Sequence, residues 1–139
     1  MIDEIIECLS NDINNALSKN EVPISAVTVF NNKIIAHNYN RRVSTNDVTA
    51  HAEILVIRET ASKLGDWRLS DCDLYVTLEP CSMCKEVIKE SRIKNVYYFV
   101  SKSNDKKGFY KTEFNLLKNV YSDTFQHSLS SFFKDNGNR

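Results

Sequence analysis

Leu74-Tyr75-Val76-Thr77-Leu78-Glu79-Pro80-Cys81-Ser82-Met83-Cys84 is the stretch on which the architecture turns. Its apolar run stops at Glu79-Pro80, and a proline suits the first turn of a helix, where its missing N–H would be unpaired in any case. The segment therefore reads as strand, turn and helix over residues 74–91. Cys81 and Cys84 stand three apart at the helix start, which places both sulfurs on one side. The positive end of the helix favours their thiolates, the form that binds metal.

Upstream, Ala50, Ile54, Ile57, Ala61 and Leu64 form a helical stripe that ends at Gly65, with Thr49 as the expected N-cap. Earlier still, residues 24–30 and 33–37 are β-branched runs around Asn31-Asn32, a pair that tolerates the positive φ of a tight hairpin turn. Residues 38–48 between them and the helix are polar and turn-rich. Ile2, Ile5, Ile6, Leu9, Ile13, Ala16 and Leu17 repeat at helical spacing at the start of the chain. Downstream, residues 96–100 read as a strand and the lysine-rich stretch 101–111, with Gly108, as a loop. Phe125, Leu129, Phe132 and Phe133 then mark a closing amphipathic helix. Strands alternating with helices indicate an α/β fold layered on one mixed sheet.

The 139 residues fit a single domain over 1–139. With 42% hydrophobic and 26% charged residues, disordered and fibrous classes are excluded. No apolar run approaches the roughly 18–20 residues of a membrane span, and Met1-Ile2-Asp3-Glu4 lacks the basic start of a signal peptide, so the expected address is cytoplasmic with no membrane partner. Lys+Arg and Asp+Glu balance at 18 each, which argues against a nonspecific polycation. The distribution is uneven: residues 1–24 carry a net −4 and residues 85–119 a net +5. A polyanion could meet the basic face, and the plainer reading is a solvated surface of scattered lysines.

The chemistry resides in Thr49-Ala50-His51-Ala52-Glu53, in Glu79-Pro80-Cys81-Ser82-Met83-Cys84 and in the loop around Asn40. If the two helix starts pack side by side, His51 supplies a nitrogen to the point reached by Cys81 and Cys84. Three His and Cys ligands select zinc and leave its fourth tetrahedral position open, as in catalytic sites. Such a position lowers the pKa of water from 15.7 to about 7. Glu53, two residues beyond His51, is placed to accept the water proton and pass it on. The pattern H-x-E with P-C-x-x-C is the known signature of zinc-dependent nucleobase deaminases, and the roles follow that precedent. A lone C-x-x-C would equally fit a redox pair or half of a structural zinc site, but neither needs His51 or Glu53. Cys8 and Cys72 read as reduced structural residues, His37 and His127 as satisfied histidines without a metal-spaced partner, and Trp67, Tyr75, Tyr97 and Tyr98 as core or interface fillers.

From about Glu21 to Ile93 the chain resembles the bacterial tRNA-specific adenosine deaminases of the cytidine deaminase-like superfamily. The likeness rests on Glu21-Val22-Pro23, Tyr39-Asn40-Arg41, Asp47-Val48-Thr49-Ala50-His51-Ala52-Glu53, Tyr75-Val76-Thr77-Leu78-Glu79-Pro80-Cys81 and Ser91-Arg92-Ile93, with Ser131-Phe132-Phe133 similar to the closing helix. It implies a three-layer α/β/α fold on a five-stranded mixed sheet, commonly a homodimer. It also implies a zinc-dependent hydrolase that converts adenosine to inosine at the wobble position (34) of a tRNA anticodon, usually tRNA-Arg ACG. By the same resemblance, His51, Cys81 and Cys84 hold one zinc ion per subunit and Glu53 shuttles protons. Asn40 contacts the flipped adenine, and Val22, Ile24 and Leu78 wall its pocket.

Ser25, Val48, Lys85-Glu86 and the segment 101–106 depart from the family pattern, the last with Lys102 in place of an aspartate that contacts the substrate strand. Two other readings stay open on the residues alone. One is a deaminase of a free base or nucleoside such as guanine, cytosine or cytidine, built on the same zinc core. The other is a noncatalytic zinc-stabilised binding module, which would not need Glu53.

Overall fold

Asn31 and Asn32 both take positive φ, 52° and 59°, and reverse the chain between β1 (Ser25–Phe30) and β2 (Lys33–Tyr39). Asparagine tolerates this region because its short polar side chain can bond locally. The turn fixes an antiparallel register from Ser25 opposite Tyr39 to Phe30 opposite Lys33, with one irregularity between Thr28 and Val29. In this computed structural model, which describes residues 1–102 and 112–136, β1 also pairs antiparallel with β3 (Cys72–Leu78). β3 then runs parallel to β4 (Asn95–Val100), and β4 parallel to β5 (Glu113–Leu116). The result is a five-stranded mixed sheet in the order β2-β1-β3-β4-β5, the sheet that the resemblance implied. Periodicity alone did not indicate β5, whose four residues are too few to establish an alternation.

Helices cover both faces, and the side chains show which. Thr28 Oγ1 lies 2.6 Å from Thr60 Oγ1 of α3 (Ala52–Leu64). His37, opposite Val27, instead meets Asp12 of α1 (Ile2–Ser18). Neighbours along a strand point to opposite faces, so α1 and α3 lie on opposite sides of the sheet. α4 (Ser82–Glu90) packs beside α3. α5 (Val120–Asn136) shares the α1 side, where Phe125 meets Phe99 of β4 edge-on with centroids 5.2 Å apart. The core runs through Ile5 and Leu9, Val27, Leu74, Val96 and Phe99, all at most 1% exposed. Side chains of this kind contribute roughly 1.5–3 kcal/mol each when fully buried.

Three local expectations are corrected. The N-cap of α3 is His51 rather than Thr49, because the Thr49 hydroxyl donates to Asp47 Oδ1 at 2.7 Å. Pro80 stands just before Cys81, the N-cap of α4, and so outside the first turn. Within the turn-rich stretch 38–48 the chain winds into a single helical turn, α2 (Arg42–Thr45). Its start is capped by the buried Glu21, whose carboxylate oxygens accept the N–H groups of Val43 at 3.1 Å and Ser44 at 2.7 Å. Most of the lysine-rich loop expected at 101–111 lies outside the described residues.

Candidate active site

His51 and Cys81 each have an extended backbone, with ψ of 149° and 172°, and each caps the helix that follows. Because α3 and α4 pack together, the two helix starts converge. His51 Nδ1 lies 3.4 Å from Cys84 Sγ and 3.7 Å from Cys81 Sγ, and the donor atoms of all three residues fall within 4.8 Å of one another. His51 and Cys84 are buried and Cys81 half-buried. All four cysteines of the chain are free thiols, so this pair is not a disulfide.

The hydrogen bond from Cys84, then that from His51, holds the Cys81 thiol down at about 3 against burial, which pushes it up. Cys81 is therefore poised as a thiolate, the ligating form. Elsewhere the balance reverses: burial, then the charges of Asp12 and Glu7, push Cys8 up to about 11, and burial with Asp71 and Asp73 raises Cys72. The His, Cys, Cys group is one that could hold a metal ion.

Glu53 sits in the first turn of α3, fully buried, and neither of its carboxylate oxygens has a hydrogen-bond partner among the described protein atoms. An unpartnered carboxylate in such a place is expensive. Its presence two residues beyond His51 fits a site that supplies the missing partner from a metal ion, a water or a substrate.

The other expected site residues meet through the sheet register. The N–H of Asn40 donates to the carbonyl of Ile24 at 3.0 Å. On the other side of Ile24, the β1–β3 register that sets Ala26 opposite Val76 carries Ile24 opposite Leu78. Asn40, Ile24 and Leu78 thus form a row across the end of the sheet, and two-residue alternation puts them on the Thr28 face, under α3 and α4. Val22 accepts the N–H of Ile24 at 2.8 Å and joins the same buried end. This is the carboxyl end of β3, the position from which open α/β sheets present ligand sites.

Sequence reasoning missed how this end is tied together. Glu79, 3% exposed, accepts Lys85 Nζ at 2.9 Å and the N–H of Lys102 at 3.0 Å, while its own N–H donates to Val100. Lys85, where the resemblance led to the expectation of a small residue, answers this carboxylate. Asp47 accepts both the N–H and the hydroxyl of Thr49, shaping the turn into His51. The only signals for these roles were an acid directly before Pro80 and an Asp-x-Thr triplet.

Trp67 is 55% exposed and so not part of the core, with the guanidinium groups of Arg68 and Arg92 5.2 and 5.4 Å from its ring. His37, read as lacking a metal-spaced partner, lies among Cys8 and Asp12. Among the described residues no helix is long and apolar enough to cross a membrane.

Comparison with known proteins agrees with this geometry. A family described as MafB19-like deaminase matches residues 3–135. The chain is 38% identical over 133 residues to a tRNA-specific adenosine deaminase of Rickettsia bellii, an alignment covering 86% of this chain and 90% of that protein. It is 52% identical over 84 residues to a tRNA-specific adenosine deaminase of Agrobacterium fabrum, covering 60% of this chain and 55% of that one. A solved structure from work on A-to-I editing by tRNA:A34 deaminases at the wobble position of transfer RNA superposes with a TM-score of 0.82. It is 34% identical, and the match covers 91% of this chain and 99% of the other.

Proposed function

Since the chain belongs to the MafB19-like deaminase family, matched over residues 3–135, we propose that it is a tRNA-specific adenosine deaminase that converts adenosine to inosine at the wobble position of an anticodon. The observation that carries the reading is the convergence of His51, Cys81 and Cys84 beside the helix turn that holds the buried carboxylate of Glu53. Similarity to the Rickettsia protein over 86% of this chain and 90% of that one supports the substrate class.

The reaction is a hydrolysis: a C6–O bond forms at adenine, the C6–N bond breaks, and ammonia leaves. Ligands of a tetrahedral zinc ion stand roughly 3.5–3.8 Å apart, and the 3.4 and 3.7 Å separations fit that spacing. Bound there, zinc would supply the Lewis acidity that makes water nucleophilic at neutral pH. His51, Cys81 and Cys84 hold the ion. Glu53 takes the water proton and delivers it to N1, then serves the departing amine. The hydrophobic walls of Val22, Ile24 and Leu78 exclude bulk water from the base, and Asn40 offers its amide to the purine edge. An anticodon loop already presents unpaired bases, so extruding one costs less than from a duplex. A homodimer in the cytoplasm, where tRNA is decoded, completes the reading.

The test is deamination of a tRNA-Arg ACG anticodon stem-loop, read as inosine at the wobble base, beside free adenosine, guanine and cytidine. Inosine in the stem-loop alone is expected. Turnover of a free base alone would move the protein to the small-molecule deaminases that share this core.

A further inference from the structure

One carboxylate lies on the buried face of α1. Asp12 is 4% exposed and shares that face with Ile5, Ile6, Leu9, Ile13 and Ala16. A charge in this setting needs a partner, and it has one across the helix–sheet junction: His37 Nδ1 of the edge strand β2, 2.8 Å from Asp12 Oδ2. Cys8 stands one turn before Asp12, so the two residues share a helix face. Sulfur, carboxylate oxygen and imidazole nitrogen of Cys8, Asp12 and His37 all lie within 4.8 Å of one another. The three come from two regular elements, a helix and a strand, which hold donors in place better than a loop. This cluster is on the α1 side of the sheet, with the whole sheet between it and the His51, Cys81 and Cys84 group.

We propose that Cys8, Asp12 and His37 form a second metal site, taking one borderline divalent cation of the zinc type. Cys8 is a thiol in the metal-free protein, pushed up by burial and by Asp12, so binding would release its proton and open the Asp12–His37 hydrogen bond. The thiolate and imidazole so formed are a donor pair that favours zinc over magnesium or calcium, and the carboxylate completes three ligands. His37, with a side chain 53% exposed, stands at the mouth, where water can supply a fourth ligand. A bound ion bridges α1 to the edge strand, so its effect is on stability and on the edge of the sheet rather than on turnover.

Zinc per chain, measured by mass spectrometry after equilibration in a zinc-buffered solution and gel filtration, decides it. The full chain should hold about two equivalents, and Cys8→Ala and His37→Ala about one each, with stem-loop deamination retained. In the same chains, cobalt(II) should give a thiolate charge-transfer band whose intensity drops in Cys8→Ala. Zinc should raise the melting temperature of wild type more than that of either variant. A single equivalent in wild type, unchanged by both substitutions, overturns the proposal and leaves Asp12 and His37 as a plain ion pair. Two equivalents surviving both substitutions overturn it equally, because the second ion then lies elsewhere. Should Cys8→Ala lose an ion while Cys84→Ala loses none, the second site stands and the catalytic metal reading falls.

Discussion

Lys85 Nζ meets Glu79 Oε2 at 2.9 Å with the two side chains only 14% and 4% exposed, so the residue directly after Cys84 turns inward to the residue directly before Pro80. Through its second oxygen Glu79 also holds the N–H of Lys102, which ties the ends of β3 and β4 together beside the site. Removing one partner of a buried pair leaves an uncompensated charge and costs about 3–5 kcal/mol. Lys85→Ala should sit near the lower figure, at about 3 kcal/mol, because Glu79 keeps the Lys102 N–H. Urea unfolding of the two proteins checks this; equal midpoints would show the pair to be solvated.

Glu53→Ala should lower turnover by about 10²–10⁴-fold, the usual worth of a positioned proton carrier, while leaving metal content intact. Stability should hold or rise, since the change deletes a buried carboxylate without a hydrogen-bond partner. Metal loss in this variant would make Glu53 a ligand instead.

Cys84→Ala takes away a buried sulfur 3.4 Å from His51 Nδ1. It should release the ion from the site and lower the melting temperature, because binding free energy at a ligand set formed only on folding is also folding free energy. Chelation of the wild type should reproduce the shift. Normal occupancy in the variant would mean that the ligand set is wrong.

The turn into His51 should be sensitive to acid. The Thr49 hydroxyl, then its N–H, holds the Asp47 carboxyl below its ordinary value. A depressed carboxylate contributes stability that is fully present above the ordinary pKa and is lost as pH falls through the lowered one. Wild type should therefore lose more stability than Asp47→Ala as the pH drops below about 4. Parallel profiles in urea titrations would show that the turn does not depend on the carboxylate.

What the sequence could reveal follows from how local each cause is. The hairpin was legible because Asn31-Asn32 carries its own φ preference, and the grouping of His51 with Cys81 and Cys84 because each motif opens a helix and the two cysteines stand three apart. Thr49 misled as a cap because Asp47, two residues back, captures its hydroxyl. β5 was invisible because Glu113–Leu116 is a strand only by virtue of pairing with β4. The row of Asn40, Ile24 and Leu78 came from resemblance and not from pattern, since only register brings such distant positions level. Likewise Asp12 and His37 are 25 positions apart and meet across a helix and a strand, a relation no periodicity expresses.

The net +5 of residues 85–119 bears on how RNA is held. Lys102 is exposed where β4 ends, its backbone fixed by Glu79, and Lys106 and Lys107 follow in the part of the chain outside the described residues. If these lysines neutralise phosphates of an anticodon loop, each contact releases a counterion, and the slope of log K against log salt steepens by about 0.7 per single-strand phosphate. Replacing Lys102, Lys106 and Lys107 together by Gln should flatten the slope by about 2 when all three engage. It should raise KM for the stem-loop at physiological salt and leave kcat unchanged, because none of the three belongs to the row of Asn40, Ile24 and Leu78 proposed to take the base. Titrations of a labelled stem-loop at several salt concentrations measure the slope directly. An unchanged slope would place the RNA on another face and reduce the lysine-rich segment to a solvated surface.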